Sequence, residues 1–79
     1  METLTIHTPF IQLNQALKLM GWVESGAMAN EVIDQPLVYH QGLVYVNQVQ
    51  EYRRRNKLYP GMVIAFEGQT ATVAAESAG

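Results

Sequence analysis

The chain has no cysteine, and nowhere do apolar residues run on for the roughly 18 positions that a membrane-spanning helix requires. The first absence excludes disulfides and thiolate metal sites and fits a reducing compartment. The second, with a start (METLTIHTPF) that lacks a charged and then apolar leader, makes a soluble cytoplasmic protein the expectation. Size excludes more. A chain of 79 residues forms one domain, expected here over 1–79, and buries only about 60 to 65% of the surface its unfolded form exposes. A deep cleft between two lobes is not expected, which disfavours an enzyme.

Positive charge is scarce as well. Five Lys and Arg face seven Asp and Glu for a net charge of −2, a total that by itself argues against a nucleic-acid partner. The distribution reverses that argument: all the cations except Lys18 are Arg53, Arg54, Arg55 and Lys57, so this short run carries +4 and the remainder −6. Hydrophobic content of 48% with 15% charged residues is ordinary for a folded domain.

Residues 2–7 alternate, Leu4 and Ile6 opposite Thr3, Thr5 and His7, as a half-buried strand does. From Phe10 to Met20 the apolar positions Phe10, Leu13, Ala16, Leu17 and Met20 follow helical steps, and Gly21 ends the helix. Thr8 with Pro9, or Gln12, could begin it. Ser25 is placed to cap a second helix with the buried stripe Ala29, Val32 and Ile33, stopped by Pro36. Beyond it the composition turns β-prone at Val38-Tyr39, Val44 to Val46, and Val49 with Tyr52. A turn at Tyr59-Pro60-Gly61, the run Met62 to Phe66, a tight turn at Glu67-Gly68 and the alternation Gln69 to Ala75 predict a closing hairpin. Residues 74–79 are small and polar, a tail expected to fray. The order β-α-α-β-β-β describes an α+β domain, two helices on a small, mainly antiparallel sheet.

No catalytic or metal constellation emerges. His7 and His40 lack the partner spacing of a zinc site, and Glu31 and Asp34 on a helix flank read as solvated acids beside Glu24. Ser25 has no base neighbour and is better explained as a cap than a nucleophile; Gly21, Gly26 and Gly42 are too widely spaced for a phosphate loop. No cofactor, metal or small-molecule substrate is expected. The basic run remains. It is either a solvated turn or edge that blunts aggregation, or, bracketed by Tyr52 and Tyr59, a surface for phosphates and unstacked bases.

Four stretches, IQLNQALKLMGWVESGAMANEVI at 11–33, GLVYVNQ at 42–48, EYRRRNKLYPG at 51–61 and MVIAFEGQ at 62–69, together give a motif order in which the chain resembles the small, stand-alone S4-type RNA-binding domain proteins of bacteria. The resemblance implies an S4-like fold with the alpha-L motif and a basic face on structured RNA, with ribosomal RNA or ribosomal particles as partners and no membrane. Carried over residue by residue, it points to Ser25, Gly26, Asn30, Asn47, Arg53, Arg54, Arg55 and Lys57. Three departures stand out: Asn30 lies where the family usually has Lys or Arg, Gln48 replaces the usual glycine after Val46-Asn47, and PLVYHQ at 36–41 looks like an insertion, a candidate edge, partner surface or dimer contact. Two other readings stay open. The late strands also resemble a ubiquitin-like sulfur carrier, whose Gly-Gly end is missing here, and the insertion could make the chain a protein-interaction module.

Overall fold

The computed structural model describes residues 2–35 and 43–76. Along the chain lie β1 (Glu2–Ile6), β2 (Ile11–Gln12), α1 (Leu13–Leu19), α2 (Gly26–Asp34), β3 (Val44–Val46), β4 (Val49–Gln50), β5 (Lys57–Leu58), β6 (Val63–Phe66) and β7 (Gln69–Ala75). Five strands form one sheet in the order β1-β7-β6-β3-β4, and β2 pairs with β5 in a separate two-stranded ribbon. Every pairing is antiparallel except β1 with β7, where Glu2 lies opposite Ala71 and Ile6 opposite Ala75. The architecture is an α+β arrangement of two helices and a mainly antiparallel sheet, as the sequence implied, with the β2–β5 ribbon added to the expected strands.

The strands bury alternate residues, as the pleat requires: Leu4 and Ile6, Val44 and Val46, Ile64 and Phe66, Ala71 and Val73. The helices complete the same core with Leu13, Ala16, Leu17, Ala29, Val32 and Ile33. Leu58 and Ile11, paired across the small ribbon, join it and so anchor the ribbon to the body.

Helix α1 begins later than Phe10. Gln12 is its N-cap, with extended backbone and no capping bond from its side chain, because Ile11 and Gln12 are held in the ribbon opposite Leu58 and Lys57. Thr8 caps nothing; its hydroxyl donates to the Phe10 carbonyl at 2.7 Å. The other end closes in a Schellman motif, with Trp22 N–H on the Leu17 carbonyl, Gly21 N–H on that of Lys18, and Gly21 at φ 74°. Helix α2 starts as expected: the Ser25 hydroxyl accepts the Met28 N–H at 3.1 Å. It stops at Asp34, and Gln35, preceding Pro36, leaves helical geometry at φ −135°, ψ 58°.

Both two-residue hairpin turns have left-handed backbone at each central residue, the twist that suits paired strands. Glu67 and Gly68 adopt φ 51° and 80°, Asn47 and Gln48 φ 50° and 69°. Gln48 thus enters the region its missing glycine would have occupied freely, at a cost of about 1 to 2 kcal/mol. Asn47 offsets part of this by extending the β3–β6 ladder: its N–H donates to the Val63 carbonyl at 2.8 Å, and its Oδ1 accepts the Val63 N–H at 2.9 Å.

The expected tail is paired further than its composition suggested. Ala74 and Ala75 belong to β7 opposite Thr5 and Ile6, the Glu76 N–H donates to the Ile6 carbonyl at 2.9 Å, and its carboxylate meets His7. Residues 77–79 and the insertion at 36–41 lie outside the described residues.

Candidate nucleic-acid interface

Between β4 and β5 the chain makes a loop, Glu51 to Asn56, and its shape is set by one carboxylate. Glu51 Oε1 accepts the N–H groups of Tyr52 and Arg53, at 3.2 and 3.0 Å, and the Arg53 Nε at 2.9 Å. Its Oε2 accepts Arg53 Nη2 at 3.2 Å and Asn56 Nδ2 at 3.3 Å. A turn across Arg54-Arg55 then closes with the Asn56 N–H on the Arg53 carbonyl. The Arg53 guanidinium holds the Glu51 carboxyl below the ordinary carboxylate range despite partial desolvation, and Arg53 is pushed up in turn.

The loop is also fastened to α1. The first helical N–H groups have no partner inside a helix, and here Leu13 donates to the Asn56 carbonyl and Asn14 to that of Arg54, each at 2.9 Å. The arginine loop caps the helix with its backbone and is left free to present its side chains outward.

These side chains are not equivalent. Arg53 is committed to Glu51, and Arg54 reaches Asp34 at the end of α2, Nη1 to Oδ2 3.4 Å. Arg55 and Lys57 have no carboxylate partner among the described residues. Arg53, Arg55, Asn56, Lys57 and Tyr59 line one open groove of about 420 Å³. Lys57 Nζ stands 4.8 Å from the centre of the Phe10 ring, which in turn meets the Tyr59 ring at 6.0 Å. Phe10, expected in the helical core stripe, therefore supports the groove instead.

Asn30 joins this surface at one remove. Its Oδ1 accepts Asn14 Nδ2 at 2.9 Å, beside the Asn14 N–H that binds the Arg54 carbonyl. Gly26, Asn30 and Asp34 are spaced by four, so they share a flank of α2 that leads to the loop. Ser25 and Gly26 sit at the far end of that flank, roughly 12 Å from Asp34 at 1.5 Å per residue. Gly26 has no positive φ, and a Cβ built on it would meet nothing within 4 Å. Asn47 stands apart, at the turn of the β3–β4 hairpin, whereas Glu51 begins the loop at the open end, its N–H on the Val44 carbonyl. The structure thus gathers Arg53, Arg54, Arg55, Lys57 and Asn30, and leaves Ser25, Gly26 and Asn47 at the periphery.

Sequence reasoning missed Glu51, Asn14 and Phe10. Glu51, two residues before Arg53, offered a signal; Asn14 and Phe10 offered none, since their roles arise from the ribbon and the helix pair.

The S4 domain family model matches residues 4–74, across both helices, the hairpin and the arginine loop. The chain belongs to the S4 domain family. YbcJ of Escherichia coli (strain K12) is 37% identical over 67 residues, which cover 85% of this chain and 87% of that protein. Its solution structure, described as revealing an alpha-L motif involved in RNA-binding, matches with a TM-score of 0.67 at 36% identity, over 95% of this chain and 89% of YbcJ. The "Probable ribosome maturation protein RlbA" of Bacillus subtilis (strain 168) is 38% identical over 65 residues, 82% of this chain and 83% of its own length. Membership in the S4 family, with two helices ahead of the main strands, sets aside the ubiquitin-like alternative. Among the described residues no helix is long and apolar enough to cross a membrane.

Proposed function

We propose that this S4 protein binds structured RNA without catalysing a reaction on it, with phosphates held by Arg55 and Lys57 in the groove that Arg53 also lines. The observation that carries this reading is the convergence of these three cations on one open surface whose backbone is already fixed by Glu51 and α1. A preformed loop loses little entropy on binding, and the guanidinium fork and ammonium suit phosphate oxygens. Arg54 extends the surface toward α2, where Asn30, Gly26 and Ser25 offer neutral donors and close approach. Asn47 contributes at its margin. With Asn30 in place of the usual cation, affinity is modest and sequence preference weak.

The names of the relatives support RNA as the ligand, and that of the Bacillus protein supports ribosomal RNA or ribosomal particles as its setting. Anisotropy titration of a fluorescent ribosomal RNA hairpin tests the reading: Arg55→Glu should weaken binding at least about tenfold, since it removes one phosphate contact and adds repulsion. Equal binding by both proteins would eliminate the groove as the contact site. Crosslinking in cells followed by sequencing of the bound RNA would identify the target.

A further inference from the structure

The cationic groove contains one aromatic ring, and this ring is held in place. Tyr59 follows the buried Leu58 and opens a type II turn in which the Met62 N–H donates to the Tyr59 carbonyl at 3.1 Å and Gly61 adopts φ 97°. The Tyr59 N–H is itself taken by the Met62 sulfur at 3.1 Å. Its ring tilts at 51° against Phe10, and Phe10 is covered by the Lys57 ammonium. Even so, Tyr59 is 48% exposed. Tyr52, which is 58% exposed, does not line the groove.

An exposed, ordered ring next to phosphate-binding cations has a definite use. The bases of an A-form duplex are stacked on one another and offer no face to a side chain, whereas a bulged, looped or terminal base does. We propose that Tyr59 is a stacking platform for one unpaired base of the bound RNA, while Arg55 and Lys57 hold the adjoining phosphates. The ligand class is therefore helical RNA interrupted by an unstacked nucleotide, not uninterrupted duplex. The inference rests on the RNA-binding reading and adds to it the source of selectivity. Phe10 acts here as a positioning residue, because its ring packs on that of Tyr59 before the base arrives and so reduces the entropy lost on binding.

The test compares two hairpin RNAs, one fully paired and one identical but for a single bulged adenosine, with 2-aminopurine in its place for a fluorescence readout. Wild type should prefer the bulged RNA by about tenfold, the scale of one base–aromatic stack, and quench the 2-aminopurine on binding. Tyr59→Leu should lose the preference and the quench while still binding the paired RNA; Tyr59→Phe should keep both, and Tyr52→Leu should behave as wild type. Equal wild-type affinity for the two RNAs, or bulge preference surviving in Tyr59→Leu, overturns the platform and leaves RNA binding intact. Should Tyr59→Leu fail to fold by circular dichroism, the wild-type signal decides: quenching supports the platform, and emission that rises or stays level overturns it. Wild type binding neither RNA removes the broader reading and this inference together.

Discussion

Glu51 grips Arg53 with both carboxylate oxygens, Oε1 on Nε at 2.9 Å and Oε2 on Nη2 at 3.2 Å, so the most acidic contact in the loop lies inside its most basic stretch. This pairing leaves Arg55 and Lys57 without a carboxylate partner among the described residues, and the same carboxylate fixes the backbone from which they project.

The first prediction concerns pH. Because Arg53 lowers the folded pKa of Glu51, this group's contribution is fully present above the unfolded carboxylate value of about 4.3 and is lost as the pH falls through the lower folded value. Glu51→Gln should cost about 1 kcal/mol near neutrality, as the partner guanidinium is largely solvated. Urea denaturation from pH 7 down to acid should show the gap between the variant and wild type closing below that window.

Removing backbone strain should stabilise the β3–β4 hairpin. Gln48→Gly relieves a left-handed φ of 69°, and after the entropic cost of glycine a net gain of about 0.5 to 1 kcal/mol is expected. Thermal melting should show it as a raised midpoint.

Substituting Gly26 should separate folding from binding. Neither its φ nor its surroundings demand glycine, so Gly26→Ala should hold or raise the melting midpoint. RNA affinity should nevertheless fall, because a methyl there would keep a phosphate backbone off the start of α2.

Salt dependence counts the available cations. With Arg53 held by Glu51 and Arg54 by Asp34, about two phosphate contacts remain, and log K against log salt should slope at about −2. Asp34→Asn frees Arg54 and should steepen the slope by nearly one while tightening binding at low salt. An unchanged slope would show that Arg54 lies off the RNA path.

Much of this molecule was legible because it is local. The Ser25 cap, the Gly21 terminus, the Glu67-Gly68 turn and the Leu4 and Ile6 alternation each depend on a few neighbouring residues, and each formed as read. The arginine cluster was visible for the same reason. Phe10 misled because its helical spacing continues that of Leu13 and Leu17, whereas a distant partner, Leu58, holds Ile11 extended and pulls Phe10 out of the helix.

By itself, then, the sequence determined the two helices, the strands of the main sheet, the S4 order of motifs and the place of the positive charge, but not the β2–β5 ribbon, since propensity, periodicity and charge are properties of short windows. Tertiary structure alone decided that β1 lies parallel to β7, that the arginine loop caps α1 through Leu13 and Asn14, and that Arg55, Lys57 and Tyr59 share one groove. These are pairings between backbone groups and side chains far apart in the chain, chosen by which buried contacts the whole core can satisfy at once, and no short window of sequence contains them.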